Sequence, residues 1–452
     1  MKRIFLFAFS LVALAGCWES RTFVTTELSP SGLQYTLINH PSTEDVAIQI
    51  AWETDWAYQE DLNQAVPHVG RDLLFESGAE GYPAGQAAEL FADLKAEVYV
   101  NVTSDVVFGV LKFRRPEREA VVQIINAHLR SPSYDQNRLE RIRGALTLAS
   151  QDDSARLQSK LFSAEGWAVL GRQPLRIFLS RDESDVFSKV NLEGIRNWHN
   201  QTFTRRPKAI VVAGSLSVQD AGELIDRLFQ GLPDQSHTFA RKVELNFVPR
   251  RILVHVPEAT SSQILFVKPL PPTREGKELE DLLITAALGQ GNQSVLFKAV
   301  RTELGASYDF NSGIDYYSQD IRLFYMLGTV ETGKLAETEQ TVRLAYSDFK
   351  LLGPPGDVSS WAALFSYTLE VKMQTPENLA QTALLALLDN QPASRAVNLK
   401  TELDGITMEG VKARLKDAYP MPDDFLVVAV SPDATALPGA CVVQRPQDAV
   451  RC

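Results

Sequence analysis

The chain has 452 residues, a formal net charge of -11, and is 45% hydrophobic and 22% charged. That length divides into two or more domains, each able to bury its own core. The acidic balance, spread along the chain, excludes nucleic acid as a main partner.

Lys2 and Arg3 open a targeting segment. Ile4–Leu14 is apolar but too short to span a membrane as a mature helix. It ends in Leu14-Ala15-Gly16-Cys17, which resembles a bacterial lipoprotein signal. The resemblance implies that Cys17 is lipidated and becomes the new N-terminus, so that the protein meets the membrane through a lipid anchor only and faces the periplasm. Trp18 after the cysteine points to the outer membrane. The other cysteines, Cys441 and Cys452, lie in the tail. In an oxidising compartment they form either a local disulfide or two free or intermolecular thiols.

Arg21–Pro30 reads as a polar lead-in. Leu33–Ile38 and Val46–Trp52 read as two strands of a hairpin, joined by a turn over 39–43. Val66–Gly78 is predicted as a helix, with Pro67 in its first turn and Gly78 closing its far end. His68 and Asp72 are four residues apart and share one face, with Arg71 between them. This is the geometry of the inverted zinc motif His-x-x-Glu-His with two working positions changed. Arg71 replaces the general base, and a guanidinium has no acceptor with which to take a proton from water. Its charge also repels a divalent cation. Asp72 replaces the second histidine.

Further helices are predicted at Ala84–Lys95, Pro116–Leu129, most of Tyr134–Trp167, Leu192–Phe203 and Val218–Leu232. Strands are predicted at Glu97–Thr103, Val106–Phe113 and Ala209–Gly214. Pro233–Val248 has no clean period and reads as a linker. The pattern then restarts: strands at Arg251–Val256 and Gln263–Leu270, a helix at Leu279–Leu288, another at Ser294–Leu304, and strands at Tyr308–Tyr316 and Ile321–Val330. Helices follow at Leu335–Leu351, Val358–Met373, Asn378–Asp389 and Met408–Tyr419, and Phe425–Val430 is the closing strand. Opening hairpins and closing strands recur about 220 residues apart. The expected fold class is therefore α+β, with two homologous domains, each a mixed, mainly antiparallel sheet with helices on one face. The expected division is a signal at 1–17, a first domain at 22–232, a linker at 233–250, a second domain at 251–440 and a tail at 441–452.

With these pieces in order, the chain resembles the pitrilysin/insulinase family of zinc peptidases, in the form with one two-domain subunit per chain. The resemblance rests on Gly32-Leu33, His68–Phe75, Tyr82-Pro83-Ala84-Gly85, Leu170-Gly171-Arg172, Asn191–Ile195 and Pro207–Gly214. In the second half it rests on Gly289–Leu296 and Val300–Tyr308. It implies a clamshell around a chamber. Active members add a glutamate roughly 75 residues beyond the motif. Here that region is Glu140–Asp153, the expected position falls near Gly144–Thr147, and no carboxylate lies between Glu140 and Asp152. No zinc is therefore expected in this chain. The family also implies that Arg301 and Tyr308 reach substrate as carbonyl or oxyanion donors, in trans, and that an edge strand over Glu97, Val98, Tyr99, Val100 and Asn101 pairs with extended peptide.

The function expected is a noncatalytic subunit of a heterodimeric zinc peptidase. Its partner would be a homologous active subunit carrying the zinc, and its substrate a peptide or unfolded protein. Two alternatives stay open: a non-enzymatic peptide-binding or scaffold lipoprotein, and an unorthodox active zinc peptidase using His68 and Asp72.

Overall fold

The computed structural model describes residues 23–40, 43–180, 183–235 and 237–452. The signal segment with Cys17, and Pro41 and Ser42 of the predicted turn, lie outside the described residues.

The first half builds one six-stranded sheet from β1 (Phe23–Leu28), β2 (Gln34–Asn39), β3 (Asp45–Glu53), β4 (Glu97–Val102), β5 (Val106–Arg114) and β6 (Ala209–Gly214). The second half builds another from β7 (Arg250–His255), β8 (Ser262–Leu270), β9 (Ser307–Tyr316), β10 (Arg322–Val330), β11 (Leu426–Ser431) and β12 (Cys441–Val443). The strand orders are β1-β2-β6-β3-β5-β4 and β12-β7-β11-β8-β10-β9. Most neighbours are antiparallel; β2 with β6, and β7 with β11 and β12, are parallel.

Two readings are corrected here. The opening strand pairs are not hairpins, because β6 inserts between β2 and β3 and β11 between β7 and β8. Both inserted strands are almost wholly buried, as continuous apolar runs covered on two faces must be. The supposed lead-in carries β1, which pairs with β2 from Phe23↔Asn39 to Leu28↔Gln34. Its six residues are exposed or half-buried, so hydrophobic alternation left little trace. Short helices at Pro174–Leu179 and Ser184–Ser188, and the helix Arg395–Asp404, also lie where none was predicted.

Each sheet packs one face on helices of its own half. The other face receives one long helix from the opposite half. Leu161, Ala164 and Ala168 of helix Leu157–Leu170 join the cluster holding Ile252, Leu265 and Val428 of the second sheet. Leu379, Ala380, Ala383 and Leu384 of helix Pro376–Leu388 cover Ile38, Ala47, Val211 and Ala213 of the first. The two helices start about one repeat length apart. The linker is tied down: Arg241 donates to the carbonyls of Thr54 and Asp105, and the Asn246 amide to the Val169 carbonyl. In the tail Cys441 and Cys452 are disulfide-bonded, and Ala449 is fully buried in the same cluster as helix Leu157–Leu170.

Candidate functional site: the His68 helix and the cleft between the halves

Helix Val66–Glu76 buries Val66, Val69, Leu73 and Leu74 against the first core. Gly70 is required for its seat, since a Cβ there would lie 2.6 Å from ring carbons of the buried Trp198. This seat leaves His68 and Arg71 facing a cleft of about 1230 Å³ between the two halves.

The side chains of the altered motif are engaged. His68 Nε2 lies 3.1 Å from the Phe178 carbonyl, and the two rings are 4.6 Å apart. A carbonyl can only accept, so Nε2 carries a proton there and is not a metal-ligating lone pair. Arg71 Nε donates to Asp72 Oδ1 at 3.2 Å. Burial raises the Asp72 carboxyl above its ordinary range, with Arg71 pulling in the opposite direction.

Helix Gln136–Ala155 carries the segment where a third ligand is expected. It sends Arg138 and Arg141 to Glu76 of the His68 helix instead. Toward the cleft it presents Leu146, Ala149, Ser150 and Asp153, and Asp153 is paired with Arg156 at 3.1 Å. Thr147 turns its hydroxyl back to the Arg143 carbonyl. Among the described residues no three His, Cys, Asp or Glu side chains are grouped so as to hold a metal ion.

β4 is an edge strand with Glu97, Tyr99 and Asn101 exposed and Val98 and Val100 half-buried. Tyr99 and Asn101 line the cleft. The Val102 amide is bonded by Asn101's own Oδ1 at 2.9 Å, so this N–H points away from β5. β9, the edge of the other sheet, repeats the device: the Tyr316 amide is bonded by Asp315 Oδ1 at 2.8 Å. Its end, through Ile314 and Tyr316, borders the same cleft. Asn101 and Asp315 hold corresponding places, opposite Phe108 and Leu323.

The turns that follow these edges are locked together. Ser104 Oγ donates to the Tyr317 carbonyl at 2.6 Å. Buried Asp105 accepts from the Tyr58 hydroxyl and from the Gln319 amide, each at 2.6 Å. The Tyr317 hydroxyl donates to Glu165, whose carboxyl burial pushes up to about 8. None of these groups carried a motif, so sequence reasoning passed over them.

Arg301 falls elsewhere. Arg301 is exposed, its guanidinium 4.8 Å from the Phe297 ring, on a stretch wound as a π-helix over Phe297–Glu303. Tyr308 lies near the start of β9. Arg301 does not line the cleft that holds His68. The structure thus gathers His68, Arg71, Tyr99 and Asn101 and leaves Arg301 outside.

Residues 189–354 match the family described as peptidase M16 inactive domain, and residues 1–17 match the prokaryotic membrane lipoprotein lipid attachment site. The first match includes Arg301 and stops short of the His68 helix. No curated protein matches the chain. The peptidase M16 inactive domain from Pseudomonas fluorescens is similar in structure, with TM-score 0.78 and 17% identity over 91% of this chain and 98% of that one. A protease from Helicobacter pylori gives 0.76 and 11% over 91% and 100%. The periplasmic protease PqqL from Escherichia coli gives 0.70 and 12% over 95% of this chain and 50% of that one. These structures share the fold. The resemblance read from the sequence is borne out, as is the two-domain α+β architecture.

Proposed function

We propose that this chain is a noncatalytic subunit of a pitrilysin/insulinase-type peptidase. It holds extended polypeptide in its cleft while a homologous subunit supplies zinc and the general base. The observation that carries the reading is the His68 helix itself: a guanidinium stands where the base belongs, and the His68 nitrogen facing Phe178 is already a donor. The two edge amides bordering the cleft, each capped by a side-chain oxygen of its own strand, support peptide pairing. An incoming peptide carbonyl can replace those side-chain oxygens, giving binding that tolerates many sequences. PqqL, with a chain twice the span of this one, is consistent with two such units working together. In this reading Arg301, which does not line this cleft, acts with Tyr308 on substrate held by a partner. The lipid attachment site supports a membrane anchor for this chain, which the reading takes to hold the pair at the periplasmic face of the outer membrane.

The test is copurification of the lipidated chain from its native envelope, with zinc and peptidase measurements on the isolated chain and on the complex. The reading requires a homologous partner with an intact motif, zinc in the complex, and hydrolysis that stops when the partner's glutamate is changed. Zinc-dependent hydrolysis by the isolated chain, lost in His68→Ala, overturns it in favour of an unorthodox active peptidase. A chain that recruits no such partner but still captures peptides is a binding or scaffold protein.

A further inference from the structure

Arg71 holds a position where the intact motif has no cation, and its guanidinium is only partly used. Nε serves Asp72; among the described residues no other hydrogen bond or ion pair engages Arg71, whose side chain is 31% exposed at the cleft wall. Its two terminal nitrogens therefore keep their N–H groups for an acceptor from outside. That fork matches the two oxygens of a carboxylate, which it binds through parallel, charge-assisted hydrogen bonds.

A second donor stands on the same wall. Ser150, 3% exposed, lines the cleft from the helix packed on the His68 helix, and its Oγ makes no hydrogen bond. A buried hydroxyl without a partner is costly, and a ligand oxygen would satisfy it. The other acids around the cleft are already committed. Asp153 is paired with Arg156, Glu278 with Arg395, and Asp389 accepts from Thr273. Asp72, beside Arg71, holds it at one nitrogen only.

We propose that Arg71, with Ser150 as a further donor, makes the altered metal helix into a carboxylate site. It takes the carboxylate of a peptide lying in the cleft, either a chain end or an Asp or Glu side chain. The substitution that removes the base thereby gives the cleft a guanidinium that Asp72 engages at one nitrogen only. This inference rests on the reading that the cleft holds extended peptide and adds what that peptide must carry.

Two pools of short random-sequence peptides, labelled at the amino end, test it. One pool ends in a free carboxylate and the other in a carboxamide. Each is captured on the detergent-solubilised lipidated chain, wild type, Arg71→Gln and Arg71→Lys. Capture of the carboxylate pool should exceed that of the amide pool by about 10- to 100-fold, as expected for a charge-assisted pair. Arg71→Gln should erase the difference, and Arg71→Lys should keep only part of it, since charge survives and the fork does not. Equal capture of both pools, with Asp and Glu enriched among bound amides and the enrichment lost in Arg71→Gln, assigns the site to side-chain carboxylates. Equal capture with no enrichment, unchanged in Arg71→Gln, overturns the carboxylate site and leaves the peptide cleft standing. Capture of neither pool overturns both. An Arg71→Gln chain with unaltered thermal unfolding excludes misfolding as the cause of a loss.

Discussion

Asp105→Asn should loosen the junction of the two halves while leaving each core intact. Asp105 is 2% exposed and accepts from the Tyr58 hydroxyl and the Gln319 amide, one on each carboxylate oxygen. Arg241 adds an ion pair at 3.6 Å. Asparagine keeps the shape and one acceptor, but turns an NH2 group toward the other donor. A hydrogen bond to a charged group contributes about 1.5–3 kcal/mol, and the surviving bond weakens once its acceptor is neutral, so the local loss is about 2–4 kcal/mol. The Gln319 amide reports it directly. Hydrogen exchange in the turns at 317–321 and 103–105 should speed by about 30- to 1,000-fold, with the strands of both cores little changed. Tyr58 supplies a second check. Its hydroxyl is held well above the ordinary tyrosine range by burial first and by Asp105 second, so the variant should bring its titration down. Unchanged exchange in the two turns, or an equal rise everywhere, would refute the claim that Asp105 pins one half to the other.

Asp281→Ala strands two guanidinia, since Asp281 and Arg322 are fully buried and Arg414 binds both carboxylate oxygens; the loss should be about 3–5 kcal/mol by denaturant unfolding, and less when Arg322 and Arg414 are replaced by apolar residues as well. Replacing Cys441 and Cys452 with serine should cost up to about 3 kcal/mol from loop entropy alone and show first as proteolysis of the tail; identical cleavage rates would contradict this. Glu165 is protonated in the fold up to about pH 8 but ionises near 4.5 when unfolded, so its contribution is full below 4.5 and is lost as pH rises to 8, by up to about 1.4 kcal/mol per pH unit. His199, which burial lowers to about 4, has the opposite slope between about 4 and 6.5, so the two offset each other there. Unfolding free energies from pH 6.5 to 8 should therefore fall in the wild type and stay flatter in Glu165→Gln.

The helices were legible where one face is apolar, as in Val66–Glu76, and the strands where short apolar runs meet turns. Placement within the sheets was not. AIVVAG and LVVAVS are apolar on both faces, which announces burial but not the neighbours on either side. The swap of Leu157–Leu170 and Pro376–Leu388 was equally hidden, because an apolar helix does not say whose sheet it covers. At the site, His68, Arg71 and Asp72 were readable from spacing, and Tyr99 and Asn101 from the strand. Phe178, Ser150 and Asp105 were not: each acquires its role only through a contact distant in sequence. Arg301 and Tyr308 were placed by analogy, and Arg301 does not line the cleft.

The exchanged helices set a condition on how such a chain could arise. A single half, alone in solution, would leave an entire sheet face of alanine, valine and isoleucine uncovered and its own long helix without a seat. Its stable form would be a pair, each copy reaching across to roof the other. Duplication and fusion through residues 233–250 turns that meeting of two molecules into a contact within one, so that assembly no longer depends on concentration. Once fused, the copies are free to diverge, because neither has to match itself any longer.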